Sequence, residues 1–129
     1  ESLKLYGRHL GSAFQLVDDA LDYRGNSEEL GKNVGDDLAE GKPTLPLIHA
    51  MANGTAEQAA LVREAIEQKS ADKLELIVAA IDACGALDYT FERARAEVDL
   101  AMEKLEFLPE GEHKTALKQL ASFAIERTV

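Results

Sequence analysis

Asp18, Asp19 and Asp22 share a short stretch with Gln15, and two lysines follow downstream, Lys32 and Lys42, each directly after a glycine. The residues from Phe14 to Asp22 read as helix. At about 100° per residue, Gly11, Gln15, Asp18, Asp19 and Asp22 fall within one arc, and Leu10, Phe14, Val17 and Leu21 take the other side. Like charges one turn apart destabilise a helix unless a cation compensates them. Carboxylate oxygens are hard ligands, and Mg²⁺ characteristically takes one or two of them, keeps several waters and accepts phosphate oxygens as well. The run 31–46, Gly-Lys-Asn-Val-Gly-Asp-Asp-Leu-Ala-Glu-Gly-Lys-Pro-Thr-Leu-Pro, supplies the opposite sign. Glycine lets backbone approach a ligand closely, and lysine is a compact cation suited to phosphate oxygens. An acidic helix, a divalent cation, phosphates and lysines make one self-consistent electrostatic sandwich. A plain amphipathic helix with a wet acidic side accounts for the aspartates but leaves the glycine-led lysines unexplained.

Helices must position these groups, because no segment shows strand alternation, an internal repeat or low complexity. The first helix is predicted from Leu3 to about Tyr23, followed by a long polar connection from Arg24 to Asp36 whose length alone points to function. Thr44 is placed to cap the next helix, with Pro46 in its first turn and Gly54 ending it. Thr55 with Gln58 three residues on forms a capping-box pattern, starting a helix to about Gln68. Ser70 is expected to cap a helix whose apolar face carries Leu74, Ile77, Val78 and Ile81 and which stops at Gly85. A longer helix is predicted from about Leu87 to Phe107, ended by Pro109, and a last one from about His113 to Arg127.

Composition narrows the function classes. The chain has 129 residues with 46% hydrophobic and 5% aromatic content, so its core must come from leucine, alanine, isoleucine and valine. With 14 Lys+Arg against 24 Asp+Glu the net charge is −10, which argues against nucleic acid or an anionic membrane surface as partner. No apolar run approaches the ~20 residues that span a bilayer, and the cytoplasm is the expected compartment. The one cysteine, Cys84, sits before Gly85 and reads as a buried residue at a helix end. His9, His49 and His113 lie far apart, without the spacing of a zinc site, and read as surface or capping residues. Arg93 and Arg95 among Glu92 and Glu97 read as solvated ion pairs of small weight, and Tyr6 and Tyr89 as half-buried. A calcium loop after Asp22 is disfavoured because Ala20 and Arg24 stand where such a loop needs oxygen ligands.

Phe14-Gln15, Asp18-Asp19-x-x-Asp22, Gly31-Lys32, Asp37-Leu38 and Gly41-Lys42-x-Thr44-Leu45-Pro46 together resemble the second aspartate-rich motif and following loop of the trans-isoprenyl diphosphate synthases. Similarity continues through Pro46-Leu47-Ile48-His49-Ala50-Met51 and Ala83-Cys84-Gly85-Ala86-Leu87, and the whole chain is similar to the C-terminal part of the long-chain, octaprenyl-type bacterial members. The resemblance implies an all-α fold, the C-terminal helices of the isoprenoid synthase bundle, with residues 1–129 as roughly the last two fifths of a single domain of the larger size class. It implies Mg²⁺-assisted ionisation of an allylic diphosphate and attack by isopentenyl diphosphate, yielding a long all-trans polyprenyl diphosphate of the kind that becomes a quinone side chain. Asp18, with Asp19 and Asp22, is carried over as metal ligand, Lys32 and Lys42 as diphosphate-binding catalytic lysines, and Gln15 as the amide beside the reacting carbon. Phe14 is expected to face the core, and Asp36 to be an exposed loop carboxylate. The parent enzyme is expected to be a homodimer whose long product brings peripheral membrane contact. The first aspartate-rich motif, the isopentenyl diphosphate site and the length-setting pocket belong to sequence not contained here, so the isolated segment is expected to be inactive. A shorter-chain synthase, a terpene cyclase and a noncatalytic helical partner subunit are the alternatives; retention of Asp18, Asp19, Asp22, Lys32 and Lys42 speaks against the last.

Overall fold

Helix-favouring residues run without an interior proline from Ser2 to Arg24 and form α1. Its buried stripe, Tyr6, Leu10, Ala13, Val17 and Ala20, recurs in steps of three and four residues, the period of one helix face. The computed structural model describes residues 1–24, Arg24 by its backbone alone, and residues 35–126. Lys32 and most of the expected polar connection lie outside the described residues. Among those described there are seven helices and no strand: α1, α2 (Asp36–Ala39), α3 (Leu45–Asn53), α4 (Ala56–Gln68), α5 (Leu74–Ala83), α6 (Ala86–Glu103) and α7 (Glu112–Glu126). No described helix is long and apolar enough to cross a membrane.

The helices divide into two compact units, one of Glu1–Asp18 with Phe91–Val129 and one of Asp19–Thr90. The first unit packs Tyr6, Leu10 and Ala13 of α1 with Val98 and Ala101 of α6, Leu105, and Ala121 and Ala124 of α7. Tyr6, expected to be half-buried, is enclosed in this cluster, and its hydroxyl donates to the Leu117 carbonyl at 2.7 Å. His9 and Glu97 meet at 2.6 Å in the same unit. The second unit closes around Tyr23, Leu38, Leu47, Val62, Ile77 and Ile81.

Helix ends follow local chemistry, with four departures from expectation. The capping box of α4 is present in full: the Thr55 hydroxyl accepts the Gln58 N–H at 3.1 Å, and the Gln58 side chain accepts the Thr55 N–H at 2.9 Å. Thr44 occupies the N-cap of α3, but its hydroxyl makes no cap bond. Pro46, in the second helical position, lacks one of the two N–H groups a cap would address. Ser70 does not cap α5; its hydroxyl accepts the Asp72 N–H at 3.2 Å in a turn, and the helix starts at Leu74. α6 stops at Glu103 rather than near Phe107, since the N–H groups of Lys104 and Leu105 bond back only three residues, to Ala101 and Met102. The fourth departure is α2 itself, in a stretch read as irregular. Gly35 enters it at φ 88°, a left-handed conformation that favours glycine.

Candidate functional site

The acidic helix does not present all its aspartates alike. Asp18 and Gln15 are exposed, Asp19 and Phe14 are half-buried, and Asp22 is fully enclosed. Asp18 is the last residue of the first unit; Asp19 and Asp22 belong to the second. The expectation of an open acidic front therefore fails at its last member. Asp22 Oδ2 accepts the backbone N–H of Asp37 at 3.2 Å, and the Asp22 carbonyl accepts the N–H of Gly35 at 3.1 Å. The turn leading into α2 is fastened by these bonds onto the end of α1 where Asp22 is enclosed.

From α2 the chain passes through Gly41 to Lys42. Gly41 has φ 75°, and a Cβ there would come within 2.9 Å of the Ile66 carbonyl, so this glycine is required before the lysine. The Lys42 N–H donates to the Asp37 carbonyl at 3.0 Å. Its ammonium lies 3.4 Å from Asp37 Oδ1 and 3.5 Å from Glu40 Oε2, with the side chain 55% exposed against 11% for Asp37. Both contacts are long for charge-assisted hydrogen bonds. The Asp37 carboxylate first, and then Glu40, raises the Lys42 pKa above its ordinary value, so the group is a held but exposed cation at physiological pH. The arrangement can exchange carboxylate partners for the oxygens of an incoming anion.

Tyr23 lies beneath this turn. Burial, followed by the Asp22 and Asp37 carboxylates, pushes its phenol well above the ordinary value of 10.0, and the nearby Thr44 hydroxyl offsets this in part. The Tyr23 and Thr44 hydroxyls themselves share no hydrogen bond of good geometry. Phenol and lysine thus keep opposite relations to charge: Tyr23 is held neutral and Lys42 is held cationic.

Sequence reasoning missed the burial of Asp22 and the part Glu40 plays as second partner of Lys42. The Glu40-Gly41-Lys42 order was a usable signal for the latter, since a glycine turn folds the flanking side chains together. His49, expected as a surface or capping residue, donates from Nε2 to the carbonyl of Cys84, the C-cap of α5, at 3.3 Å, packs its ring on Tyr89 at 4.4 Å and receives the Asn53 amide at Nδ1. Cys84 is half-buried at the end of α5, with its thiol toward the Ile81 carbonyl. A cleft of about 420 Å³ lies between Tyr23, Ile81, Asp82 and Asp88, and its described walls carry two carboxylates. Among the described residues no three His, Cys, Asp or Glu side chains are gathered into a cation cage. Lys32 and Gly31 are outside the described residues.

Residues 1–83 match the family model of the polyprenyl synthetases. The octaprenyl diphosphate synthase of Haemophilus influenzae is 54% identical over 128 residues, covering 98% of this chain and 39% of its own length. That of Escherichia coli is 53% identical, with 98% and 40% covered. A crystal structure of a polyprenyl synthase from Caulobacter crescentus, complexed with calcium and isoprenyl diphosphate, superposes with a TM-score of 0.89 at 42% identity, covering all of this chain and 40% of that one. The chain spans about two fifths of the length of the curated relatives it matches.

Proposed function

The chain belongs to the polyprenyl synthetase family, and on that premise we propose that it serves a prenyltransferase that extends an allylic diphosphate with isopentenyl diphosphate to an octaprenyl-length product. The observation that carries the reading is Lys42, an exposed ammonium held, among the described residues, by carboxylates at the end of a glycine turn in a chain of net charge −10. Overall charge repels diphosphate, so binding needs a local cation, and Lys42 is built as one.

In this reading the allylic C–O bond breaks and the leaving diphosphate keeps the electron pair. The isopentenyl double bond attacks the allylic cation, and a proton is then lost. Lys42 moves its ammonium from Asp37 and Glu40 to the oxygens on which negative charge grows, a stabilisation that is largest in the transition state. Lys32 adds a second cation by its place in the motif. Gln15 orients the reacting carbon, and its exposure on α1 suits an amide that meets substrate. Asp18 is exposed and Asp19 half-buried, and their hard oxygens fit a divalent cation that retains water and shares phosphate ligands. Such an ion, when bound, neutralises the departing diphosphate. The calcium and isoprenyl diphosphate of the Caulobacter crescentus structure support both ligand classes. Mg²⁺ as the ion, a homodimeric enzyme, a cytoplasmic setting and a quinone side-chain product come with the same reading from the sequence resemblance.

The test uses the full-length synthase containing this segment, with isopentenyl and farnesyl diphosphates. Chain extension that requires Mg²⁺ and collapses in Asp18→Ala is expected. Extension unaffected by either chelation or that substitution overturns the proposal, and product length separates octaprenyl from shorter-chain synthesis.

A further inference from the structure

α2 has four residues, too few to persist on its own hydrogen bonds. Its N-cap is Gly35, which has no side chain to offer and makes no cap bond. The vacant duty falls to a residue remote in sequence. Asp22 Oδ2 accepts the N–H of Asp37, the second residue of α2, which is one of the two amides a local Ser, Thr, Asp or Asn cap ordinarily satisfies. The Asp22 carbonyl takes the Gly35 N–H as well, so α1 grips both the cap position and the first turn. Beyond that turn, Asp37 holds Lys42 twice, by its carbonyl on the Lys42 N–H and by its carboxylate near the ammonium.

We infer that Asp22 is a positioning residue: it supplies in trans the N-cap that Gly35 cannot, and through Asp37 it fixes where the Lys42 ammonium stands. This assigns Asp22 a backbone-directed role in place of the direct metal ligation suggested by its motif. A wholly buried carboxylate needs hydrogen-bond donors to offset its lost hydration, and a helix-starting amide is a favourable donor for an anion. Glycine at position 35 and aspartate at 22 are then two halves of one device, since the φ of 88° at the cap position is a conformation that residues with a side chain rarely adopt.

The inference rests on the prenyltransferase reading only for its kinetic arm. In the full-length synthase, Asp22→Ala is expected to raise the KM for allylic diphosphate about fivefold, and amide exchange at Gly35 and Asp37 is expected to accelerate. Asp22→Asn keeps an acceptor oxygen without the charge, and is expected to restore amide protection and recover most of the kinetic loss. In a Lys42→Ala background, Asp22→Ala is expected to add almost nothing, as for residues acting through one another. Asn as damaging as Ala while the Asp37 amide stays protected overturns the inference in favour of charge at a cation; full additivity with Lys42→Ala overturns it too. If Asp22→Ala does not fold, exchange in Asp22→Asn decides alone: protection kept supports the cap, protection lost refutes it. Failure of the prenyltransferase reading shows separately, as a wild-type synthase without Mg²⁺-dependent extension, and leaves the exchange arm intact.

Discussion

Each of the two units carries a lysine paired with a carboxylate at a helix junction, and the two lysines are held in opposite ways. In the second unit, Lys42 reaches two carboxylates among the described residues, at 3.4 and 3.5 Å, with more than half its side chain exposed. In the first, Lys114 is 9% exposed; its ammonium donates to the Leu108 carbonyl at 3.3 Å and to Glu110 at 3.0 Å. This buried ammonium is bonded to a backbone carbonyl as well as to a carboxylate, so Lys114 is a clasp across the α6–α7 turn. Carboxylates that hold an exposed ammonium loosely can be replaced by a phosphate. Charge pairing alone says nothing about role; burial and the kind of acceptor do.

Lys42→Ala in the full-length synthase should separate the two lysines most widely. Turnover per unit KM is expected to drop by about 10²–10³, the usual effect of losing one group that stabilises a developing oxyanion, with no resolvable change in the thermal midpoint. A midpoint drop matching the activity loss would make Lys42 a clasp like its counterpart. Next in size, Lys114→Ala strands the Leu108 carbonyl and is expected to destabilise by roughly 1–3 kcal/mol in urea titration, with kcat and KM retained at temperatures where the protein stays folded. Loss of catalysis without loss of stability would erase the contrast.

The smallest effect concerns the buried tyrosines, which repeat the pattern. Tyr6 donates its hydroxyl to the Leu117 carbonyl, whereas Tyr23 is enclosed beside Asp22 and Asp37. Burial raises both phenols above 10.0, and Tyr23 further. An unfolded phenol ionises near 10 while these remain neutral, so the native advantage is complete below pH 10 and is lost as pH climbs from there through the raised native values. At pH 7, Tyr6→Phe is expected to be the more destabilising change, by about 1 kcal/mol. Above pH 10 the gap between the two variants should widen, with Tyr23→Phe resisting alkaline unfolding better than wild type by circular dichroism. Parallel pH curves for wild type and Tyr23→Phe would contradict that account.

Residue pattern alone disclosed the all-α architecture, the extent of α1, the Thr55–Gln58 cap, the Gly54 stop and the glycine turn that precedes Lys42. All of these are local: a 3.6-residue period, a cap three residues away and a glycine turn before a lysine leave their marks within a few neighbouring positions. The tertiary structure alone decided that Asp22 is enclosed while Asp18 is not, that Gly35 borrows its cap from α1, and that Lys114 is buried where Lys42 is exposed. Burial of a polar group depends on which distant segment covers it and which amide or carbonyl that segment brings, and no helical periodicity encodes either.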